Sequence, residues 1–333
     1  MSQYLFRVKT PEGFIIKLLS EYLANTIKHP QFYVSQKGIS LRTADQNREI
    51  LIDLDLPREN FKTFKCPKPL NFTVNSAHLY RLLKTIKKKD SVTIFIDENR
   101  PMKLGIRVEQ AEDTSDKVTT FINIVYVQPE EMDLPEGYGE PRIAASKQFQ
   151  KLKALHGIGS DITVTVVGKK PIKFFVNGKD LFSREIPIGE EEDDDEESET
   201  SPADQPTYCQ TFSTHLITQL TKCAGQSGNI QIFYDEELPL QIKMRIGTLG
   251  NMTVYIKSKE LIEMLENDSG EEEQGEEGER ATESLAFDDG GKSEAEEGED
   301  DQDEEEEEAE IEAQETPKGK NKTKSPKKKS KSK

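Results

Sequence analysis

The side chains best suited to chemistry in this chain are cations on the polar faces of four amphipathic stretches. Arg81, Lys84 and Lys88 fall together, opposite Leu79, Leu82, Leu83 and Ile86 at i, i+3, i+4 and i+7. Lys17, Glu21 and Lys28 lie outside an apolar face made by Phe14, Ile15, Leu18, Leu19 and Tyr22. Lys147, Lys151 and Lys153 lie outside Phe149, Leu152 and Leu155, and His215, Thr218, Gln219 and Lys222 oppose Leu216, Ile217, Leu220 and Ala224. A basic helix face without aromatic interleaving suits a phosphate backbone, whose contacts position a duplex without reading its bases. Any one of these helices, taken alone, is more readily an ordinary solvated face. Their recurrence is what points to sequence-independent contact with double-stranded DNA. Homeodomain, zinc-finger and basic-zipper spacings are absent from the sequence, and so is Trp.

Catalysis has little to work with. The histidines are His29, His78, His156 and His215, none beside a Cys or Ser nucleophile motif, and no Gly-rich phosphate loop or paired metal-ligand spacing occurs. Cys66, Cys209 and Cys223 have no CxxC spacing, so neither a disulfide framework nor a zinc site is expected, and a reducing compartment follows. Acidic runs such as EEEDDDEE lack the ordered spacing of a calcium loop. No enzymatic activity, metal or cofactor is expected. The N-terminus MSQYLFRVKTPEG has no apolar leader segment, and no run approaches the ~20 apolar residues of a membrane span. A soluble intracellular protein with no membrane partner is the expectation.

The elements that carry these cations occur twice. Residues 84–108 recur without a gap at 222–246, and SVTIFIDENRPMKLGIRV and NIQIFYDEELPLQIKMRI match at six of 18 positions. Lys84 and Lys222 are repeat-equivalent. Period-2 alternation and β-rich composition predict strands at 4–9, 31–35, 38–43, 49–56, 70–74, 91–97, 103–108 and 118–127, with helices near 12–27 and 76–88. The second series is a helix near 147–155, strands at 162–167, 173–177 and 181–188, a helix near 214–224, and strands at 230–234, 240–246 and 252–257. Between them VQPEEMDLPEGYGEP reads as a connector. Met132 and Leu134 within it are either staples that pin it to a sheet or part of a partner site.

Charge is unevenly placed. The formal net charge is −18, but residues 268–315 hold 25 acids against Arg280 and Lys292, and residues 316–333 hold nine Lys and no acid. A second acidic run spans 190–204. Without the tail and that run the body carries 34 Lys and Arg against 28 Asp and Glu, or +6. The tail cannot bury enough apolar surface to fold alone. The expected organisation is therefore a first domain over 1–127, a connector over 128–141, a second domain over 142–266 with an acidic loop at 190–204, and a disordered tail over 267–333, acidic then basic.

The order of these segments resembles a known family, the eukaryotic sliding clamp called proliferating cell nuclear antigen. GISLRTADQNREILIDLDL (Gly38–Leu56) is similar to the family's early strand-loop-strand, NFKTFKC (Asn60–Cys66) to its Gly-Phe-Asp-Thr-Tyr-Arg-Cys segment, and LPLQIKMRI followed by GNMTVYI to its final hairpin. The likeness runs over about residues 3–262. It implies an α+β clamp fold with two similar domains, antiparallel sheets outside, and helices lining a central channel in a homotrimeric ring. Such a ring encircles duplex DNA, is placed there by a clamp loader, and tethers DNA polymerase and other clamp-binding-motif proteins during replication and repair.

Residue by residue, the resemblance puts Lys17, Arg81, Lys84, Lys151, His156 and Lys222 on DNA, with Lys28, Lys147 and Lys153 beside them. It puts Ala44, Arg48, Met132, Leu134, Pro135, Pro239, Tyr255 and Ile256 around a partner-binding pocket under the connector. Ala44 replaces a larger apolar residue of the family and Arg48 a His, so altered selectivity is expected. Subunit closure would pair an edge strand at about 117–127 with one at 181–188. Lys169 and Lys170 lie close to where the family carries a regulatory modification.

SPKKKSKSK resembles a nuclear-localisation or nucleic-acid patch, and a nucleus, or a viral replication compartment, is the expected location. Two other readings compete. A monomeric clamp-like processivity factor would keep the fold and hold DNA by charge alone. An acidic-tailed histone-binding chaperone would explain the tail but not the repeat.

Overall fold

Apolar residues at alternate positions dictate most of the architecture. In Ile50–Pro57 the side chains of Ile50, Ile52, Leu54 and Leu56 are all buried while their neighbours face outward, the signature of a strand with one covered face. The computed structural model describes residues 4–110, 117–129, 132–178, 182–189 and 207–272, within one compact unit. The acidic run 190–204 and the tail beyond Glu272 lie outside the described residues.

The first half runs β1 (Tyr4–Thr10), α1 (Gly13–Thr26), β2 (Gln31–Val34), β3 (Gly38–Ala44), β4 (Ile50–Pro57), β5 (Thr63–Lys65), β6 (Leu70–Val74), α2 (Ser76–Leu83), β7 (Ser91–Asp97), β8 (Lys103–Glu109) and β9 (Lys117–Tyr126). The second runs β10 (Arg142–Ala145), α3 (Ser146–Gln150), β11 (Asp161–Val166), β12 (Ile172–Asn177), β13 (Ser183–Ile188), β14 (Tyr208–Ser213), α4 (Thr214–Ala224), β15 (Asn229–Phe233), β16 (Leu240–Ile246), β17 (Gly250–Ile256) and α5 (Lys259–Glu272).

The repeat seen in the sequence forms two like hairpins, β7–β8 and β15–β16, with Ile94 opposite Ile106 and Ile232 opposite Ile242. Their turns close in the same way. Repeat-equivalent Asp97 and Asp235 each accept, through Oδ1, the backbone N–H two residues on, both at 2.9 Å.

The halves share one sheet. β17 pairs antiparallel with β4, from Asn251 opposite Asp55 to Ile256 opposite Ile50, within a 13-stranded sheet, and β11–β14 form a separate four-stranded sheet. Gly250 opens β17 where a Cβ would stand 2.0 Å from the Asp55 carbonyl oxygen, so only glycine lets the strands meet there.

Among the described residues the sheets end on β5, β10, β13 and β14, and β9 is open along part of one side. β9 is paired along one side by β8, but on the other only Ile124–Tyr126 are taken, by β6. Its stretch from Lys117 to Asn123 has no strand on that side among the described residues. Among the described residues β13 is paired with β12 alone.

The helices pack as one layer, with α1 against α2 and α4, and α4 against α3 and the 3₁₀ segment Lys151–Leu155. Three expectations about them are corrected. The predicted helix over 76–88 stops at Leu83, because the Asp90 carboxylate accepts the Lys87 N–H at 3.0 Å and closes a turn. Lys88 therefore leaves the face that carries Arg81 and sits 5.7 Å over the Phe14 ring. The predicted helix over 147–155 is α-helical only to Gln150; tightening to three residues per turn aligns Leu152 with Leu155, both fully buried. Thr218, predicted on the polar face of α4, is buried and donates to the Thr214 carbonyl at 2.9 Å. A fifth helix, α5, begins on a Ser258 cap whose Oγ accepts the Leu261 N–H at 3.0 Å. It extends to Glu272, past the boundary expected at 266.

Candidate functional site

Nine predicted phosphate-facing residues all belong to the helix layer or its ends. Arg81 on α2, Lys84 at its C-cap, Lys147 on α3, Lys151, Lys153 and His156 along and after the 3₁₀ segment, and Lys28 beyond the end of α1 are exposed. Lys28 marks where α1 meets α2, since its carbonyl accepts from Ser76 N at 3.1 Å and Ser76 Oγ at 3.2 Å. Lys17 is half-buried, its ammonium 5.6 Å from the centre of the Phe14 ring. His156 Nδ1 lies 3.2 Å from Thr218 Oγ1, and its ring is 6.3 Å from that of His215.

Lys222 differs from the rest. Its Nζ meets Glu21 Oε1 at 2.8 Å, with the two side chains 33% and 13% exposed. The other Glu21 oxygen is buried without a hydrogen-bond partner. Asn25 Nδ2 donates to Gln219 Oε1 at 3.0 Å one turn along, so the same two helices are tied twice.

A cavity of about 350 Å³ opens beside the connector. It brings together six predicted residues, Ala44, Arg48, Met132, Pro135, Pro239 and Tyr255, with Glu49, Leu51, Asp133 and Lys257. Leu134 is half-buried and does not line it. Ile256 is fully buried in the core, because β17 alternates and sends Tyr255 to the cavity and Ile256 to the opposite side. The same alternation could have found Leu51, the register partner of Tyr255, and Lys257, two residues beyond it.

Among the described residues, three side chains hold the connector down by hydrogen bonds. Arg42 Nη1 donates to the Met132 carbonyl at 3.1 Å while its Nε meets Asp53 Oδ1 at 3.0 Å. Gln31 Nε2 donates to the Gln128 carbonyl at 2.7 Å, and the Tyr138 hydroxyl to the Pro239 carbonyl at 2.7 Å. Burial, with Tyr255 and Asp235 close by, raises the Tyr138 pKa, so the hydroxyl stays a donor at any physiological pH. Burial likewise raises that of Tyr255. Arg48 adopts φ 55°, a left-handed conformation unusual for a residue with a Cβ, at the end of a turn that Asp45 closes by accepting from Ile50 N at 3.0 Å. The result is a cavity that mixes apolar side chains (Ala44, Leu51, Met132, Pro135, Pro239) with charged ones (Arg48, Glu49, Asp133, Lys257), suited to a short segment with both apolar anchors and polar groups. Among the described residues no cluster of His, Cys, Asp and Glu could hold a metal ion, and no helix is long and apolar enough to cross a membrane.

Two family models, "Proliferating cell nuclear antigen, N-terminal domain" and "Proliferating cell nuclear antigen, C-terminal domain", match residues 5–128 and 142–259. The chain belongs to the proliferating cell nuclear antigen family. It is 24% identical over 265 residues to the proliferating cell nuclear antigen of Dictyostelium discoideum, covering 77% of this chain and 99% of that one. The crystal structure of the proliferating cellular nuclear antigen from Entamoeba histolytica superimposes with a TM-score of 0.63 at 19% identity, over 77% of this chain and 100% of that one, a likeness of fold. The two-domain clamp fold expected from the sequence is thus the fold of this family, and membership makes the chain a DNA sliding clamp, a replication processivity factor.

Proposed function

We propose that this chain closes as a homotrimer around double-stranded DNA and tethers DNA polymerase and other partners through the connector cavity. The observation that carries this reading is the arrangement of one unit. Its helices form a single layer bearing exposed Arg81, Lys84, Lys147, Lys151 and Lys153, and among the described residues its sheets leave open a stretch of β9 and the outer side of edge strand β13. An open strand edge invites pairing, and a head-to-tail contact between two different edges closes into a ring when its rotation closes. Cations on the layer would then face the phosphates from many sides, each weakly, which permits sliding.

The cavity supports the tethering half of the reading. Met132 and Pro135 from the connector, Pro239 and Tyr255 from the second half and Ala44 from the first converge on it, so a bound segment would touch both halves. A clamp loader is the expected agent of ring opening, and the Lys-rich 316–333 segment favours a nuclear location. The mass of the full chain, followed by light scattering through a dilution series, tests closure. Three copies persisting on dilution support it, and one copy at every concentration overturns it in favour of a monomeric clamp-like factor.

A further inference from the structure

We propose that the junction between copies is anchored by Phe182, whose ring seats in a cavity beside Phe121 of a second copy of this chain. The inference rests on the ring reading and adds to it the side chains that hold the junction.

The cavity has a volume of about 470 Å³ and is lined by His78, Arg81 and Leu82 of α2, by Lys103 at the start of β8, and by Phe121, Ile122 and Asn123 of β9. It opens at the end of the stretch of β9 that β6 leaves unpaired. Phe121 is 39% exposed and already held: its ring meets Phe95 edge-on at 6.0 Å, and the Arg100 guanidinium lies 5.0 Å over it. An incoming ring would meet a fixed aromatic surface, which lowers the ordering cost of the contact.

Phe182 supplies that ring. It stands directly before β13, is 59% exposed, and has its carbonyl fixed by Gly178 N at 3.0 Å, so its position is set by backbone. Every strand pair in the two sheets is antiparallel, the first residues of β13 pairing with the last of β12. Laying β13 antiparallel along open β9 brings the start of β13, with Phe182, to the Phe121–Asn123 end. A parallel arrangement would bring it to the Lys117 end, away from the cavity. Val118, 60% exposed on the same open stretch, would be covered by the same strand. Arg81 sits at the cavity rim, where its guanidinium can lie against the arriving ring, so its charge serves the junction as well as DNA.

Subunit exchange between two fluorescently labelled pools of the full chain tests this, with Phe182→Ala, Phe121→Ala and the double variant. Phe182→Ala should exchange at least about tenfold faster, the size expected for a central interface aromatic. The double variant should be faster by clearly less than the product of the single effects, since each substitution removes the same ring-to-ring packing. The thermal midpoint of dilute Phe182→Ala should be unchanged, because that ring is exposed within one copy. Assembled chain with unaltered exchange on Phe182→Ala overturns the anchor while leaving the ring reading intact. Parent chain found as single copies overturns both.

Discussion

Lys222 of α4 and Glu21 of α1, 201 positions apart, meet at 2.8 Å and tie the second half of the chain to the first. A cation expected to face phosphate is therefore partly neutralised by a carboxylate in its own layer. The pair sits against buried Tyr22 and Cys223, where water screens it little.

Replacing Lys222 with Ala leaves Glu21 charged, half-buried and unpaired. The expected loss is about 1–2 kcal/mol, below that of a fully buried pair because Lys222 is partly exposed. Glu21→Gln should cost less and should tighten DNA binding at low salt by releasing Lys222 from the carboxylate. Thermal melts of both variants, with DNA affinity for the second, check this.

The exposed cations should act additively on DNA and hardly at all on folding. Lys147→Ala, Lys151→Ala and Lys153→Ala combined should flatten the dependence of log affinity on log salt by about 0.9 for each phosphate no longer neutralised. The thermal midpoint should stay within about a degree or two, as for other surface substitutions. A salt titration of duplex binding measures the first and calorimetry the second.

Arg42 touches the connector rather than the cavity, yet it should matter for partners. Arg42→Ala removes the hydrogen bond to the Met132 carbonyl and should weaken binding of an apolar-anchored peptide by about three- to tenfold, with the mass of the clamp unchanged. Fluorescence anisotropy with such a peptide gives the affinity.

Gly250→Ala should strike the joint between the halves, where its Cβ would stand 2.0 Å from the Asp55 carbonyl oxygen. The backbone of β4 or β17 has to move, at a cost of about 1–3 kcal/mol. Urea unfolding is the check.

Burial, with Glu21 adjacent, pushes the Cys223 thiol from 9.0 up to about 12, and burial raises Tyr22 well above its ordinary range. Both groups are held protonated by the fold. Their contribution is complete below pH 9, where the unfolded thiol also keeps its proton, and is lost as pH climbs from 9 towards 12. The thermal midpoint should fall above pH 9, and less steeply in Cys223→Ala. Of the three thiols, exposed Cys209 alone should react with a disulfide reagent before unfolding.

The hairpins are legible in the sequence because Val, Ile and Phe alternate there over a full strand length on both sides of an Asp-led turn. β5 is not, being three residues long, nor is β10, whose run RIAA (Arg142–Ala145) ends in two residues of weak strand preference. β14 (YCQTFS) is defined by its register with β11, a tertiary fact. α5 hides in acid-rich composition. Its first turn is fixed from outside, by the Glu260 carboxylate accepting Thr211 N at 2.9 Å. Around the cavity, Met132, Pro239 and Tyr255 come from family likeness, whereas Leu51 and Lys257 depend on strand register. The Lys222–Glu21 pair depends on helix packing that no local pattern encodes.

Retention on DNA of defined topology tests the central claim most directly. The chain would be loaded with a clamp loader onto a nicked circular duplex, washed at high salt, and the circle then cut once. Encirclement requires that the protein survive the wash on the circle and leave on cutting, since salt removes charge contacts but not a topological link. Loss in the wash, or equal retention on cut and uncut DNA, would contradict it.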